Sequence, residues 1–169
     1  AAATFHFPSG VALNSDNSIL YIADRFNHKI RSVTIATGAV ATVSGDGSPG
    51  SDDGIKALAS FNYPRAIALN QDDTLLFVAD VANHKIRKVT VATGQVVTLC
   101  GDGNIGSDDG TNNVASFNYP FGIASYVDPI SLTDIIYVAD LYNHKIRRVQ
   151  ATSGVVTTLA GDGNAGLDD

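Results

Sequence analysis

The sequence of 169 residues contains no glutamate, methionine or tryptophan, and it contains a single cysteine. All 17 acidic residues are therefore aspartate, which disfavours helix interiors and is common in turns and caps, whereas glutamate is a good helix former. This bias argues against a helical protein and favours a loop-rich β protein. Because methionine is absent and the chain starts with three alanines, the sequence is expected to be processed or to be part of a longer product.

The scarcity of cysteine and of positive charge limits the classes of function. One cysteine cannot form an internal disulfide or a cysteine-rich zinc module, so Cys100 is predicted to be a small buried side chain. The net charge of −6 opposes nucleic acid as a partner, because Lys and Arg supply most of the affinity for phosphates. No apolar run approaches the length needed to cross a bilayer.

A threefold internal repeat is the main feature of the sequence. The pattern Phe-x-aromatic-Pro occurs at 5–8, 61–64 and 117–120, at intervals of 56 residues. Asn-His-Lys-Ile-Arg follows at 27–31, 83–87 and 143–147, and the second of these intervals is 60 residues. Four residues are therefore inserted within 126–134. The predicted repeat units are 1–56, 57–112 and 113–169.

Each unit contains four short β-like segments separated by turn residues. In the first unit they are 10–13, 18–23, 29–35 and 39–44. The second segment of each unit is apolar without alternation, which predicts a strand that is covered on both faces. Four sequential antiparallel strands form one blade of a β-propeller, and neighbouring blades would supply that cover.

The motif Tyr-x-Ala-Asp-x-x-Asn-His-x-Ile-Arg-x-Val resembles the NHL repeat and recurs three times along the chain, with Phe77 in place of the tyrosine in the second unit. Lys29, Lys85 and Lys145 depart from the Asn-His-Leu name at a position where basic residues are common in the family. The resemblance implies an all-β propeller of three four-stranded antiparallel blades. A six-bladed ring would be completed by head-to-tail association of two copies or by further blades of a longer chain. The resemblance implies a fold and not a function.

Residues that are identical in every unit are predicted to maintain the blade by fastening the loop between its second and third strands. They are Asp24, Asn27, His28, Asp80, Asn83, His84, Asp140, Asn143 and His144. The alternative is a metal site of converging histidines, which a likeness to the peptide-amidating lyase of the family would require. That site needs additional histidines in single blades, and His6 is the only one. No catalytic residue and no metal ligand is predicted.

Two further repeated features favour architecture over ligand binding. The Asp-rich segments 45–54 and 101–110 lack the EF-hand order of alternating acids closed by a glutamate. They are predicted to form turns between blades, with weak calcium binding as the alternative, and no other cofactor is predicted. The basic residues of the third strands, among them Arg31, Arg87 and Arg147, are predicted to solvate an edge.

Positions that differ between otherwise matched units are the candidates for binding. In a propeller, the loops that join the second strand to the third share one face with the loops that join successive blades. Arginine and aromatic side chains dominate recognition surfaces. The predicted contact residues on this face are Arg25, Phe26, Arg65, Phe121, Leu141 and Tyr142. Ordinary loop variation is the alternative.

These observations predict a non-catalytic β-propeller scaffold for protein or peptide interaction, as a module of a larger assembly. An extracellular setting is slightly favoured, and the sequence otherwise leaves the compartment open. Two alternatives from other classes remain. One is a metal-assisted lyase or hydrolase resembling the propeller enzymes of the family, and the other is RNA binding by the loop face.

Overall fold

The computed structural model describes residues 3–166, which form three antiparallel sheets joined by loops and short 3-10 turns. We call the sheets the first, second and third blades. The first blade contains β1 (Pro8–Leu13), β2 (Ile19–Asp24), β3 (Lys29–Thr34) and β4 (Ala39–Ser44). The second contains β5 (Gly54–Ile55), β6 (Pro64–Leu69), β7 (Leu75–Asp80), β8 (Lys85–Thr90) and β9 (Gln95–Cys100). The third contains β10 (Gly110–Thr111), β11 (Pro120–Val127), β12 (Asp134–Asp140), β13 (Lys145–Gln150) and β14 (Val155–Ala160).

The predicted antiparallel blades are confirmed, with one addition that the sequence did not reveal. The two-residue strands β5 and β10 pair with the outer strands β9 and β14, so the second and third blades have five strands each. Both strands precede the first full strand of their own blade in the chain. The predicted unit boundaries at 57 and 113 fall just after them, and these boundaries stay predictions.

The chain reverses between the second and third strands of each blade by the same device. A three-residue 3-10 turn follows the second strand, at Arg25–Asn27, Val81–Asn83 and Leu141–Asn143. The next residue is His28, His84 or His144, at φ of 53° to 54°. This left-handed conformation is uncommon for residues other than glycine, and it turns the backbone into the third strand.

The second blade is covered on both faces, as predicted from the unbroken run of apolar residues in its second full strand, β7. Leu76 and Val78 pack into a core shared with the first blade, whereas Phe77 and Ala79 pack into a core shared with the third. All four side chains are fully buried. The first strands β1, β6 and β11 contact one another in sequence, so they lie side by side where the blades converge.

The inserted residues lengthen the hairpin between β11 and β12, at the end of the blade opposite the 3-10 turns. Ile130 at the tip of this hairpin is 92% exposed. Over residues 3–166, the structure contains no helix long and apolar enough to span a membrane.

Candidate binding face

The repeated aspartate at the end of each second strand fixes three parts of its blade. The buried carboxylate of Asp80 accepts hydrogen bonds from the Asn62 backbone N–H at 2.7 Å, from Asn83 Nδ2 at 2.8 Å and from Arg87 Nη1 at 2.8 Å. The Asp140 carboxylate in the third blade accepts the corresponding three bonds. In the first blade, the corresponding donors to Asp24 are the His6 N–H, Asn27 and Arg31. The aspartate thereby joins the 3-10 turn, the third strand and the segment before the first strand.

The structure contradicts the prediction that the third-strand arginines solvate an edge. Arg87 and Arg147 are fully buried, and Arg87 also donates to the Asp53 carboxylate at 2.7 Å. Its guanidinium lies 5.4 Å from the centre of the Phe61 ring. Such a side chain can be buried because two carboxylates and backbone carbonyls satisfy its charge. Arg31 is less enclosed, with its side chain 14% exposed.

The repeated histidines link neighbouring blades. Nδ1 of His28 accepts a hydrogen bond from the Tyr63 backbone N–H at 3.2 Å, and Nδ1 of His84 accepts one from Tyr119 at 3.1 Å. Each histidine ring also packs 4.8 Å from the ring of the same tyrosine. Burial lowers the pKa of both histidines, which favours the neutral form that this acceptor role requires. In contrast, His144 is exposed.

Four of the six predicted contact residues form two arginine–aromatic stacks, and the first of these includes Tyr63. The Arg25 guanidinium lies 5.4 Å from the centre of the Phe26 ring and 5.8 Å from that of Tyr63, and the Phe26 and Tyr63 rings meet edge to face at 5.1 Å. The Arg65 guanidinium stacks 3.1 Å from the centre of the Phe121 ring and donates to the Phe121 carbonyl at 3.0 Å. We call Arg25, Phe26, Tyr63, Arg65 and Phe121 the arginine–aromatic patch.

The two arginines of the patch are electrostatic neighbours. Burial lowers the pKa of Arg65, and the charge of Arg25 lowers that pKa further. Arg31, Arg87 and Arg147 are each paired with aspartate, whereas within residues 3–166 neither patch arginine forms an ion pair.

Leu141 and Tyr142 lie apart from this patch, on the 3-10 turn of the third blade. Leu141 is 40% exposed and Tyr142 is 59% exposed. The Tyr142 ring packs edge to face against Tyr119, with centres 5.2 Å apart. Tyr63 was not among the predicted contact residues, because an aromatic residue stands before the proline in every unit and the candidates were taken from positions that differ between units.

In the Asp-rich loops, aspartate side chains accept hydrogen bonds from backbone N–H groups of the same loop. Asp46 accepts a hydrogen bond from the Ser48 N–H at 2.7 Å, and Asp102 accepts one from the Asn104 N–H at 2.8 Å. Asp53 and Asp109 instead bind the buried arginines. In the described part of the chain, no three side chains of His, Cys or Asp are grouped so that they could hold a metal ion. Weak calcium binding stays a prediction.

The third blade has a hollow on the face that points away from the second blade. The hollow is lined by Ala139, Ile146, Ala160 and Gly161. The matching residues of the second blade, including Ile86 and Cys100, are buried in one core with Phe117. In the first blade, Ile30 is buried in one core with Phe61. Ile30 and Ile86 are 0% exposed, whereas Ile146 is 40% exposed. We call the hollow the third-blade socket, because it matches two sites that a phenylalanine of the following blade fills.

Two solved structures share the fold. An auxiliary nutrient binding protein from Bacteroides thetaiotaomicron matches with a TM-score of 0.73 and 19% identity, over 93% of this chain and 37% of that one. A nidogen/laminin complex contains a chain that matches with a TM-score of 0.66 and 19% identity, over 93% of this chain and 49% of that one.

The sequence comparisons point to the same architecture. No family model matches the chain. NHL repeat-containing protein 2 of Homo sapiens is 33% identical over 93% of this chain, and the protein of that name from Bos taurus is 35% identical over 93%. The chain spans about a fifth of the length of these relatives, at 22% of each. With three blades that repeat the Asn-His motif, the chain belongs to the NHL-repeat family.

Proposed function

We propose that the chain is part of a non-catalytic propeller scaffold that binds a protein or peptide through its arginine–aromatic patch. One observation carries this proposal. Arg25, Phe26, Arg65 and Phe121 differ from their counterparts in the other blades. They form two arginine–aromatic stacks, one of which includes Tyr63, on a frame of repeated residues. Residues that are identical in all blades maintain the fold, whereas residues that differ between blades and are held on a rigid support can recognise a ligand.

The composition of the patch supports a protein or peptide ligand. Aromatic rings and guanidinium groups supply large contact areas with directional donors, and such residues are enriched at the centres of protein interfaces. Phe26 is 37% exposed, and the adjoining Phe7 is 67% exposed and packs 4.8 Å from it. The two fold relatives are named for nutrient binding and for a laminin complex, and binding by this chain is our proposal.

The scaffold is completed when another blade covers the third-blade socket. Phe61 and Phe117 show what fills such a socket, namely the phenylalanine of a Phe-x-aromatic-Pro segment. Phe5 begins the same pattern in the first blade. The ring is therefore completed by a second copy that presents Phe5, or by further blades of a longer chain.

Selection from a random peptide library tests the binding proposal. Peptides selected on the wild-type chain are expected to lose at least tenfold in affinity for Phe26→Ala/Phe121→Ala, because removing two aromatic contacts costs more than about 1.4 kcal/mol. The matched control is Tyr126→Ala/Ile130→Ala, which removes two exposed apolar side chains at the opposite end of the blade. Failure to select any peptide, or equal binding to both double variants, would contradict the proposal.

A further inference from the structure

We infer that Arg25 and Arg65 form a carboxylate site, so that the ligand of the patch is an acidic peptide segment with an apolar or aromatic residue beside its carboxylate. This inference rests on the proposed function and adds the chemistry of the partner. Its basis is that Arg25 packs over Phe26 and Tyr63 and acts electrostatically on Arg65, which follows Tyr63 by two residues and stacks on Phe121.

The fold uses its arginines in two different ways. The arginines repeated in every blade are neutralised by aspartate, at 3.1 Å in the first blade and 2.8 Å in the other two. In the other blades, the position of Arg25 is occupied by Val81 and Leu141. The position of Arg65 is occupied by Ser9 and Phe121. Neither forms an ion pair in the described residues. Placing two like charges together is unfavourable unless an anion lies between them.

The two patch guanidinium groups are only partly committed to contacts within the chain. Arg65 donates through Nη1 to the Phe121 carbonyl and lies over the Phe121 ring, 3.1 Å from its centre, which restricts its position. Arg25 is held over Phe26 and Tyr63. Guanidinium groups bind carboxylates through paired, charge-assisted hydrogen bonds, and stacking on a ring leaves the donors at the guanidinium edge available. The exposed ring of Phe26 would contact an apolar neighbour of the carboxylate.

The charges of the patch and of the chain favour a peptide carboxylate over a polyanion. Binding to nucleic acid needs a track of several uncommitted cations, whereas the patch supplies two. The loops between blades carry exposed aspartates such as Asp46 and Asp102, and the whole chain has a net charge of −6. Such surroundings repel an extended polyanion and tolerate a single carboxylate that sits between two arginines.

The test uses a matched pair of small probes on the full 169-residue chain. N-acetyl-phenylalanine carries one aromatic ring and one carboxylate, and N-acetyl-phenylalanine amide lacks only the charge. In NMR titrations, the carboxylate probe is expected to shift the backbone signals of Tyr63, Arg65 and Phe121. It should bind roughly tenfold more tightly than the amide, because its charge-assisted bonds are lost with the charge.

Charge-matched variants make the result specific. Arg25→Gln/Arg65→Gln should abolish the preference for the carboxylate probe, whereas Lys88→Gln/Arg148→Gln, which removes two charges from the third strands, should retain it. Equal binding of both probes, no shift at the patch, or tight binding of a decauridine RNA at low salt would overturn the inference. If library peptides without acidic residues still depend on Phe26 and Phe121, the carboxylate site is wrong and the scaffold proposal stands. If no peptide depends on the patch, both fail.

Discussion

At the residue scale, the repeated histidine joins two strained points of the backbone. His28 is itself left-handed, and it accepts the N–H of Tyr63, whose φ is also positive at 53°. His84 and Tyr119 repeat the arrangement. Bulky residues avoid this region unless surrounding contacts hold them there. Protonation of Nδ1 would replace the acceptor by a donor that faces another N–H.

Stability is therefore expected to depend on these histidines below neutral pH. Burial lowers their pKa in the folded chain, although Asp46 near His28 and the carboxylates of Asp140 and Asp102 near His84 oppose this effect. Between the folded and unfolded pKa values, the unfolded chain binds more protons. The contribution of these histidines to the free energy of unfolding is thus fully present above about pH 6.5. It decreases as the pH falls toward the pKa of the histidines in the folded chain.

Urea denaturation between pH 7.5 and 5.5 measures this dependence. His84→Asn keeps a residue that tolerates the left-handed conformation and removes one titrating group, so it should reduce the pH dependence of the unfolding free energy by about half. His6→Asn, at an exposed position, should leave the dependence unchanged. A pH dependence that is equal in wild type and His84→Asn would contradict the bridging role.

At the scale of elements, a single phenylalanine anchors each blade to the one before it. Phe117 is fully buried among residues of the second and third blades. Phe117→Ala should lower the free energy of unfolding by about 3–5 kcal/mol, because a cavity would open between two sheets. Ile130→Ala, at a tip residue that is 92% exposed, should change it by less than about 0.5 kcal/mol. A loss below about 1 kcal/mol for Phe117→Ala in urea denaturation would show that the interface does not depend on this anchor.

The full-length strands could be predicted from the sequence. Pairings and contacts between residues that lie far apart in the chain could not. The predicted segment 39–44 coincides with β4, and the predicted segment 29–35 differs from β3 by one residue. Two-residue strands such as β5 carry no alternation, and they become visible only through pairing with β9. The burial of Arg87 depends on Asp53, which lies 34 residues away. Arg25 and Arg65 were identified from differences between repeats, but the packing of Arg25 on Tyr63 and of Arg65 on Phe121 is tertiary.

At the scale of the whole molecule, completion of a ring depends on the interface between blades. In the first two interfaces, a phenylalanine fills a socket whose central isoleucine, Ile30 or Ile86, is then fully buried. The third-blade socket leaves Ile146 at 40% exposure. An open sheet face of this kind favours association, and a repeated interface that closes on itself gives a ring. The 169-residue chain is therefore expected to pair head to tail.

Sedimentation equilibrium of this chain tests the claim most directly. We expect a reversible dimer that dissociates when Ile146→Asp places a charge in the third-blade socket, whereas Ile130→Asp, at the tip of the β11–β12 hairpin, should leave the dimer intact. Circular dichroism melting should show that both variants remain folded. A folded wild-type chain that stays a monodisperse monomer at tens of micromolar, or a dimer indifferent to Ile146→Asp, would contradict it.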